Sequence, residues 1–269
     1  MEITPIKIKL DEKQNNIQLY ALSDIHIGSR ECDIDLVREV VEHIRTTPNM
    51  YVILLGDILD TALKNSKSDI YSSAMTIAES QQLALEILTP IKDKIIGMTP
   101  GNHENRVWRE VGIDMSLWLA QKLGVEDKYR TDALALTIDF GKDRNGRAYK
   151  LNIFGQHGAG GTGRKLGAAM NGLEDLDGIV ANADIYVRGH SHASISGRRK
   201  TFVFTQQGNL NWQTKFYYNA PSFLKTGGYG LSGGYKPQDI SPKYINIRAY
   251  DERIGSRLER KFKIDEIML

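Results

Sequence analysis

The chain reads as an α/β protein, a four-layer α-β-β-α sandwich with two packed mixed β-sheets flanked by helices. Three features predict this. Apolar runs of strand length alternate with helical patterns in the first half, and the second half turns to hairpin-like strand pairs. The third feature is size, because 269 residues with 41% hydrophobic content can bury a large core.

Residues 17–22 and 51–55 are apolar runs of strand length, and between them Leu36, Val37, Val40, Val41 and Ile44 recur at helical spacing over 35–45. His43 falls off this stripe and is expected on the solvated face. A second helix is expected over 72–88, stopped by Pro90, then a strand over 94–98 and a helix over about 107–123 closed by Gly124. Strands at 134–140 and 150–154 flank the turn Asp143-Arg144-Asn145-Gly146 and read as a hairpin. A helix-like stretch at 166–176, strands at 185–187 and 202–205, and a closing hairpin from 244–250 and 258–264 complete the pattern. One domain spanning 1–269 is expected, with a Gly-rich loop (158–165) and an aromatic-rich loop (211–234) near its site.

Thirty-five basic and 33 acidic residues leave a net charge of +2, so bulk charge does not announce a nucleic-acid or membrane-surface partner. One cysteine, Cys32, excludes a disulfide framework, and neither a signal pattern nor an apolar stretch of membrane-spanning length is present. A cytoplasmic protein is expected.

Five of the six histidines sit in five short signatures: Asp24-Ile25-His26, Gly56-Asp57-Ile58-Leu59-Asp60, Gly101-Asn102-His103-Glu104, His157-Gly158 and Gly189-His190-Ser191-His192. Each falls at or just after the end of a strand-like run, so distant segments can deliver ligands to one rim of a sheet. Imidazole, carboxylate and carboxamide suit divalent first-row metals, and no thiolate is offered. Asp57 has two oxygens and can bridge two ions, whereas Asn102 is neutral. Two such ions opposed by Asp24 and Asp57 keep a net positive charge, which attracts phosphate.

In this order the signatures resemble the calcineurin-like metallophosphoesterase superfamily, over residues from about Leu19 to Asn209. The resemblance implies one metal held by Asp24, His26, Asp57 and His192, and another held by Asp57, Asn102, His157 and His190. It also implies that His103 protonates the leaving oxygen or steadies the transition state, held by a hydrogen bond to Asp60, a role Glu104 can also fill. The implied reaction is phosphoester hydrolysis by a hydroxide shared between two divalent ions, manganese first, with iron, zinc, nickel, cobalt or magnesium as substitutes. Thr61 and Pro100 stand where the superfamily's protein phosphatases carry arginines, which disfavours that substrate class. Arg106, Arg164 and Lys165 are candidate phosphate contacts, and Trp212 and Tyr217 candidate base-stacking residues. Together they point to a phosphodiester of nucleotide or nucleic-acid type. A phosphomonoesterase and a catalytically silent binding scaffold are the alternatives.

Overall fold

The computed structural model describes residues 3–11, 14–64, 66, 70–142, 146, 148–158, 165–205, 208–227, 236–254 and 257–269. In chain order the elements are β1 (Ile6–Lys9), β2 (Asn16–Leu22), α1 (Ile34–Thr46), β3 (Met50–Leu55), α2 (Ile77–Leu88), β4 (Ile95–Thr99), α3 (Asn102–Val111), α4 (Met115–Leu123), β5 (Leu134–Lys142), β6 (Ala148–Gln156), α5 (Leu166–Ile179), β7 (Ile185–Arg188), β8 (Ile195–Phe204), β9 (Leu210–Asn219), β10 (Lys243–Ile254) and β11 (Arg257–Met268). They form a five-stranded sheet in the order β11-β10-β2-β3-β4 and a six-stranded sheet in the order β1-β5-β6-β7-β9-β8.

Strand alternation explains the layering. In β2, Ile17, Leu19 and Ala21 face the other sheet, while Tyr20 and Leu22 face the helices; in β3, Ile53 and Leu55 divide from Val52 and Leu54 in the same way. Both faces are buried, so these strands read as continuous apolar runs rather than alternating ones. The inner layer joins those residues to Leu136, Ile138, Ile153, Ile185, Val187 and Tyr218 of the six-stranded sheet. Outside the five-stranded sheet lie Val37, Val40 and Ile44 of α1, Ala84 and Leu88 of α2, and Leu119 and Leu123 of α4. Outside the six-stranded sheet, Leu173 and Leu176 of α5 cover Phe154, Tyr186 and Tyr217. The four layers expected from the sequence are therefore present.

Several local expectations are corrected. The helix expected over 107–123 is two helices: Gly112 closes α3 in the left-handed conformation at φ 71°, and Asp114 caps α4 by accepting from the Leu117 N–H. Helix α2 starts at Ile77, because Thr76 and Glu79 form a capping box. The strand expected at 202–205 is the end of the longer β8, and β1 has no counterpart in the sequence reading. The first half of the expected loop 211–234 is strand β9, with Phe216, Tyr217 and Tyr218 buried. Residues 228–235 lie outside the described residues, as do Asp143, Arg144 and Asn145 of the expected turn. His43 is half-buried against Tyr244, ring centroids 6.3 Å apart, and not on a solvated face. No helix among the described residues is long and apolar enough to cross a membrane.

Asp114 holds two elements at once, since its second oxygen accepts from the Tyr129 hydroxyl at 2.7 Å. Asp114→Ala removes a cap and strands a buried hydroxyl, so a loss of about 2–3 kcal/mol is expected in chemical denaturation with an unchanged m-value. Asp114→Asn should recover most of it.

Candidate metal centre

Parallel pairing places the signatures on one rim. Strands β2, β3 and β4 run parallel in one sheet and β6 and β7 parallel in the other, so their carboxyl ends open in common directions. The first two signatures are stitched together by backbone hydrogen bonds from Asp24 to Gly56, His26 to Asp57, and Asp60 back to Ile27. The rim of the six-stranded sheet is joined by Gly189 N–H donating to the His157 carbonyl.

Among the described residues, six non-glycine residues have left-handed φ: Asp24 (52°), His26 (55°), Asp57 (50°), Thr61 (35°), His190 (65°) and His192 (57°). Five of them are candidate ligands. Such backbone costs on the order of 1 kcal/mol per residue and persists where the surroundings impose it, which concentrates it at functional sites. Here it turns consecutive side chains of Asp24-Ile25-His26 and His190-Ser191-His192 inward, which an extended strand cannot do.

The candidate ligands converge in two clusters, Asp24–His26–His192 and Asp57–His157–His190, and a third group of possible donors, His26–Asp60–His103, adjoins the first. Asp24 Oδ1 lies 3.2 Å from His192 Nε2 and 3.9 Å from His26 Nε2, and the two Nε2 atoms face one another at 3.3 Å. In the second cluster His157 Nε2 lies 3.2 Å from Asp57 Oδ2 and 3.1 Å from Asn102 Oδ1. Asp57 Oδ2 is also 3.9 Å from His26 Nε2, so one oxygen sits between the clusters. Metal–ligand bonds of about 2.1 Å place neighbouring donors about 3 to 3.5 Å apart, and most of these separations match. Imidazole nitrogens facing each other gain nothing without a cation or proton between them. The donor set therefore fits two divalent ions.

The supporting contacts leave the right atoms free. The Ser23 hydroxyl donates to Asp24 Oδ2 at 2.6 Å, and the His190 N–H is shared between Oδ2 at 2.9 Å and Oδ1 at 3.1 Å, so Oδ1 keeps a lone pair for a ligand. The His103 N–H donates to Asp57 Oδ1 at 2.8 Å and leaves Oδ2. His157 Nδ1 lies 2.6 Å from the Leu55 carbonyl, a contact that keeps the proton on Nδ1 and frees the Nε2 lone pair. Gly101 is required by closeness, because a Cβ there would lie 2.1 Å from Asp57 Oδ1.

Charge follows from these neighbours. Burial alone would raise the pKa of Asp24 and Asp57, but His192 beside Asp24, and His157 and His103 beside Asp57, hold both carboxylates below their usual range. Burial lowers His26, which favours the neutral ring a ligand needs. Burial opposes the charge on His157 as well, yet Asp57 and Asp24 outweigh it and push that ring up to about 10.

Glu104 does not assist His103. Its buried carboxylate accepts N–H groups from Asp57 at 3.0 Å, Leu59 at 2.9 Å and Gly101 at 2.9 Å, and so ties the second signature to the third. Asp60 does pair with His103, Oδ1 to Nδ1 at 3.0 Å. Arg106 is half-buried on α3, close enough for its charge to act on His103, while Lys165 is exposed ahead of α5 and Arg164 lies outside the described residues. Base stacking loses both of its candidates. Tyr217 is buried, donates to Asp177 at 2.8 Å and stacks on Tyr186. Trp212 is exposed and stacked on Phe202, but it lies seven residues along β9 from Asn219, whose pairing with Arg188 marks the rim, a span of roughly 20 Å. Ser23 and the Thr61 hydroxyl, which donates to the His103 carbonyl, were not legible in the sequence because neither carries a spacing signal.

Two sheets between helices, with oxygen and imidazole donors gathered at the strand ends, define a metal-dependent hydrolase. A family model, Calcineurin-like phosphoesterase, matches residues 17–194, a span that holds every candidate ligand, and the chain belongs to that family. The family implies a metal-dependent phosphoester hydrolase acting on a phosphoester substrate. Among solved structures, a hypothetical protein from Pyrococcus horikoshii OT3 is similar at 8% identity and a TM-score of 0.42, over 92% of this chain and 87% of that one. No curated protein matches.

Elemental analysis after chelation and reloading should give two metals per chain, and Asp57→Asn should lower both occupancies because Oδ2 faces both clusters; a wild-type value of one would rule out the dinuclear reading. Metal must also displace the proton that His157 holds up to pH of about 10. Affinity should therefore rise with pH between 6 and 8, by about tenfold per unit for each proton released, as titration calorimetry in buffers of different ionisation enthalpy would show.

Proposed function

We propose that the protein is a phosphodiesterase that works with two divalent ions, manganese the first choice, and that His103 is its general acid. The ions, when bound, neutralise phosphoryl charge and acidify the attacking water. Histidine and oxygen donors accept several first-row metals, so availability selects among them.

The observation that carries this reading is the orientation of His103. Its Nδ1 is engaged by Asp60, at 3.0 Å from Oδ1 and 2.8 Å from the carbonyl, so the ring presents Nε2 to the site, 3.8 Å from Asp57 Oδ2. Burial works against a charge on this ring, but Asp57 and the hydrogen bond to Asp60 outweigh it and raise its pKa. The doubly protonated ring, with a proton on Nε2, is thereby favoured. As the phosphorus–oxygen bond breaks, that proton passes to the departing alkoxide. Asp60 stabilises the charged ring and keeps it from rotating.

The charge balance favours a diester over a monoester. Asp24 and Asp57 are joined at the rim by Asp60, and Arg106 is the arginine whose charge reaches His103. Thr61 and Pro100 add no cation where protein phosphatases have arginine. A monoanionic diester needs less positive charge than a dianionic monoester. The nucleotide or nucleic-acid part of the expectation loses support, because Tyr217 is buried and Trp212 is remote.

His103→Ala should keep both metals, since Asn102 and not His103 belongs to the ligand set, while kcat falls roughly 10²- to 10⁴-fold. The loss should be small for nitrophenolate leaving groups and large for alkoxides. Loss of metal, or equal impairment on both, would place the acid elsewhere. Asp60→Asn should give a milder version of the same pattern.

A further inference from the structure

Residues 219–225 follow β9 and cross the rim from the six-stranded sheet to the segment that precedes α1. This strap is fixed at both ends. At its start the Ala220 N–H donates to the Arg188 carbonyl at 2.8 Å. At its far end Leu224 forms an antiparallel bridge with Cys32, the Lys225 N–H donates to the Glu31 carbonyl at 2.8 Å, and the Asp33 N–H donates to the Phe223 carbonyl at 2.8 Å. These strap residues lie outside the span 17–194 that the family model matches.

Two groups of the strap reach the ligand-bearing turns. The Phe223 N–H donates to the Asp24 carbonyl at 3.1 Å, and Asn219 Nδ2 donates to the Ala193 carbonyl at 2.7 Å. Asp24 and His192 both have left-handed backbone, at φ 52° and 57°, and Ala193 follows His192 directly. Strained backbone of this kind relaxes unless its surroundings hold it. The strap therefore grips the two turns that bring Asp24 and His192 to one cluster, Asp24–His26–His192. From β10, Lys243 adds a tether to the next residue, its Nζ donating to Ser194 Oγ at 2.7 Å and to Asp239 at 3.1 Å.

Asn219 is fully buried, and its Oδ1 has no hydrogen-bond partner among the described residues. A half-satisfied buried amide costs stability. What offsets that cost is the grip of Nδ2 on the Ala193 and Ala220 carbonyls. The other cluster is oriented by different groups: the Leu55 carbonyl fixes His157, the His103 N–H fixes Asp57, and the His190 N–H is held by the Asp24 carboxylate.

We propose that the strap is a positioning element for the ion of the Asp24–His26–His192 cluster, with Asn219 and Lys243 as positioning residues that act through His192. The proposal rests on the dinuclear reading of the site.

The test measures the two manganese affinities separately by calorimetry and elemental analysis, with the exchange-coupled pair signal in electron paramagnetic resonance as a second readout. Asn219→Leu keeps the branched shape and removes the donor, and Lys243→Met keeps the apolar stem. Each should weaken one ion on the order of 10- to 100-fold, the range for groups that orient metal ligands, and leave the other unchanged. The pair signal should give way to that of an isolated ion. Added to His192→Ala, Asn219→Leu should change nothing further, whereas added to His190→Ala it should weaken the ion that remains. Asp114→Ala, which destabilises the outer helical layer, should keep both affinities and so separates positioning from general loss of stability. Wild-type affinities in both Asn219→Leu and Lys243→Met overturn the proposal, as does equal weakening of both ions or a like loss in Asp114→Ala. If Asn219→Leu does not fold, Lys243→Met decides alone. A wild-type protein that binds fewer than two ions overturns the dinuclear reading and this proposal with it; two ions held equally well by wild type and variants overturn this proposal alone.

Discussion

The pairing of Asp57 with His157 is the contact on which the rest of the site depends. One imidazole reaches Asp57 Oδ2 at 3.2 Å through Nε2 and the Leu55 carbonyl at 2.6 Å through Nδ1. Asp57 and Leu55 belong to the rim of the five-stranded sheet, and His157 follows β6 of the other. This polar seam closes the rim where the apolar inner layer ends, and it joins donors from both sheets in one ligand cluster. Since the pair is buried, taking away either member leaves the other without compensation.

The same rim concentrates strain. Left-handed backbone at Asp24, His26, Asp57, His190 and His192 adds up to several kcal/mol by ordinary measures, and helices and sheets elsewhere provide the stability that tolerates it. Much of the tethering comes from groups that never meet the metal. Glu104 holds three N–H groups, Ser23 fixes Asp24, and Gly101 lets the backbone lie against Asp57. A divalent ion held by these residues would offset the facing nitrogens and carboxylates, and would thereby stabilise the fold. Geometry this prepared spares the protein from reorganising when the phosphoryl group arrives.

Function separates along the rim according to which neighbours a side chain has. Oxygens and Nε2 atoms left free by their supports face inward as ligands. His103 instead has its Nδ1 taken by Asp60, and Asp57 and Asp60 raise its pKa against the effect of burial. Two different settings thus surround one residue type.

The sequence by itself determined the order of the layers, the family and the donor set. Strands buried on both faces leave continuous apolar runs, and five ligand signatures in one order carry their meaning in residue type and spacing alone. What only the tertiary structure decided depends on distance between segments far apart in the chain. Glu104 and Asp60 look equally suited to assist His103 in the sequence; three backbone N–H groups claim the first, and the second is left to the imidazole. Tyr217 and Trp212 likewise share an aromatic, lysine-containing stretch that reads as a loop, yet strand pairing buries one under α5 and carries the other away from the rim. Aromatic residues in an extended segment have the same local pattern in either setting. Which sheet that segment joins, and how far along it each ring lies, is set by pairing with β7 and β8, a long-range choice that no local spacing encodes.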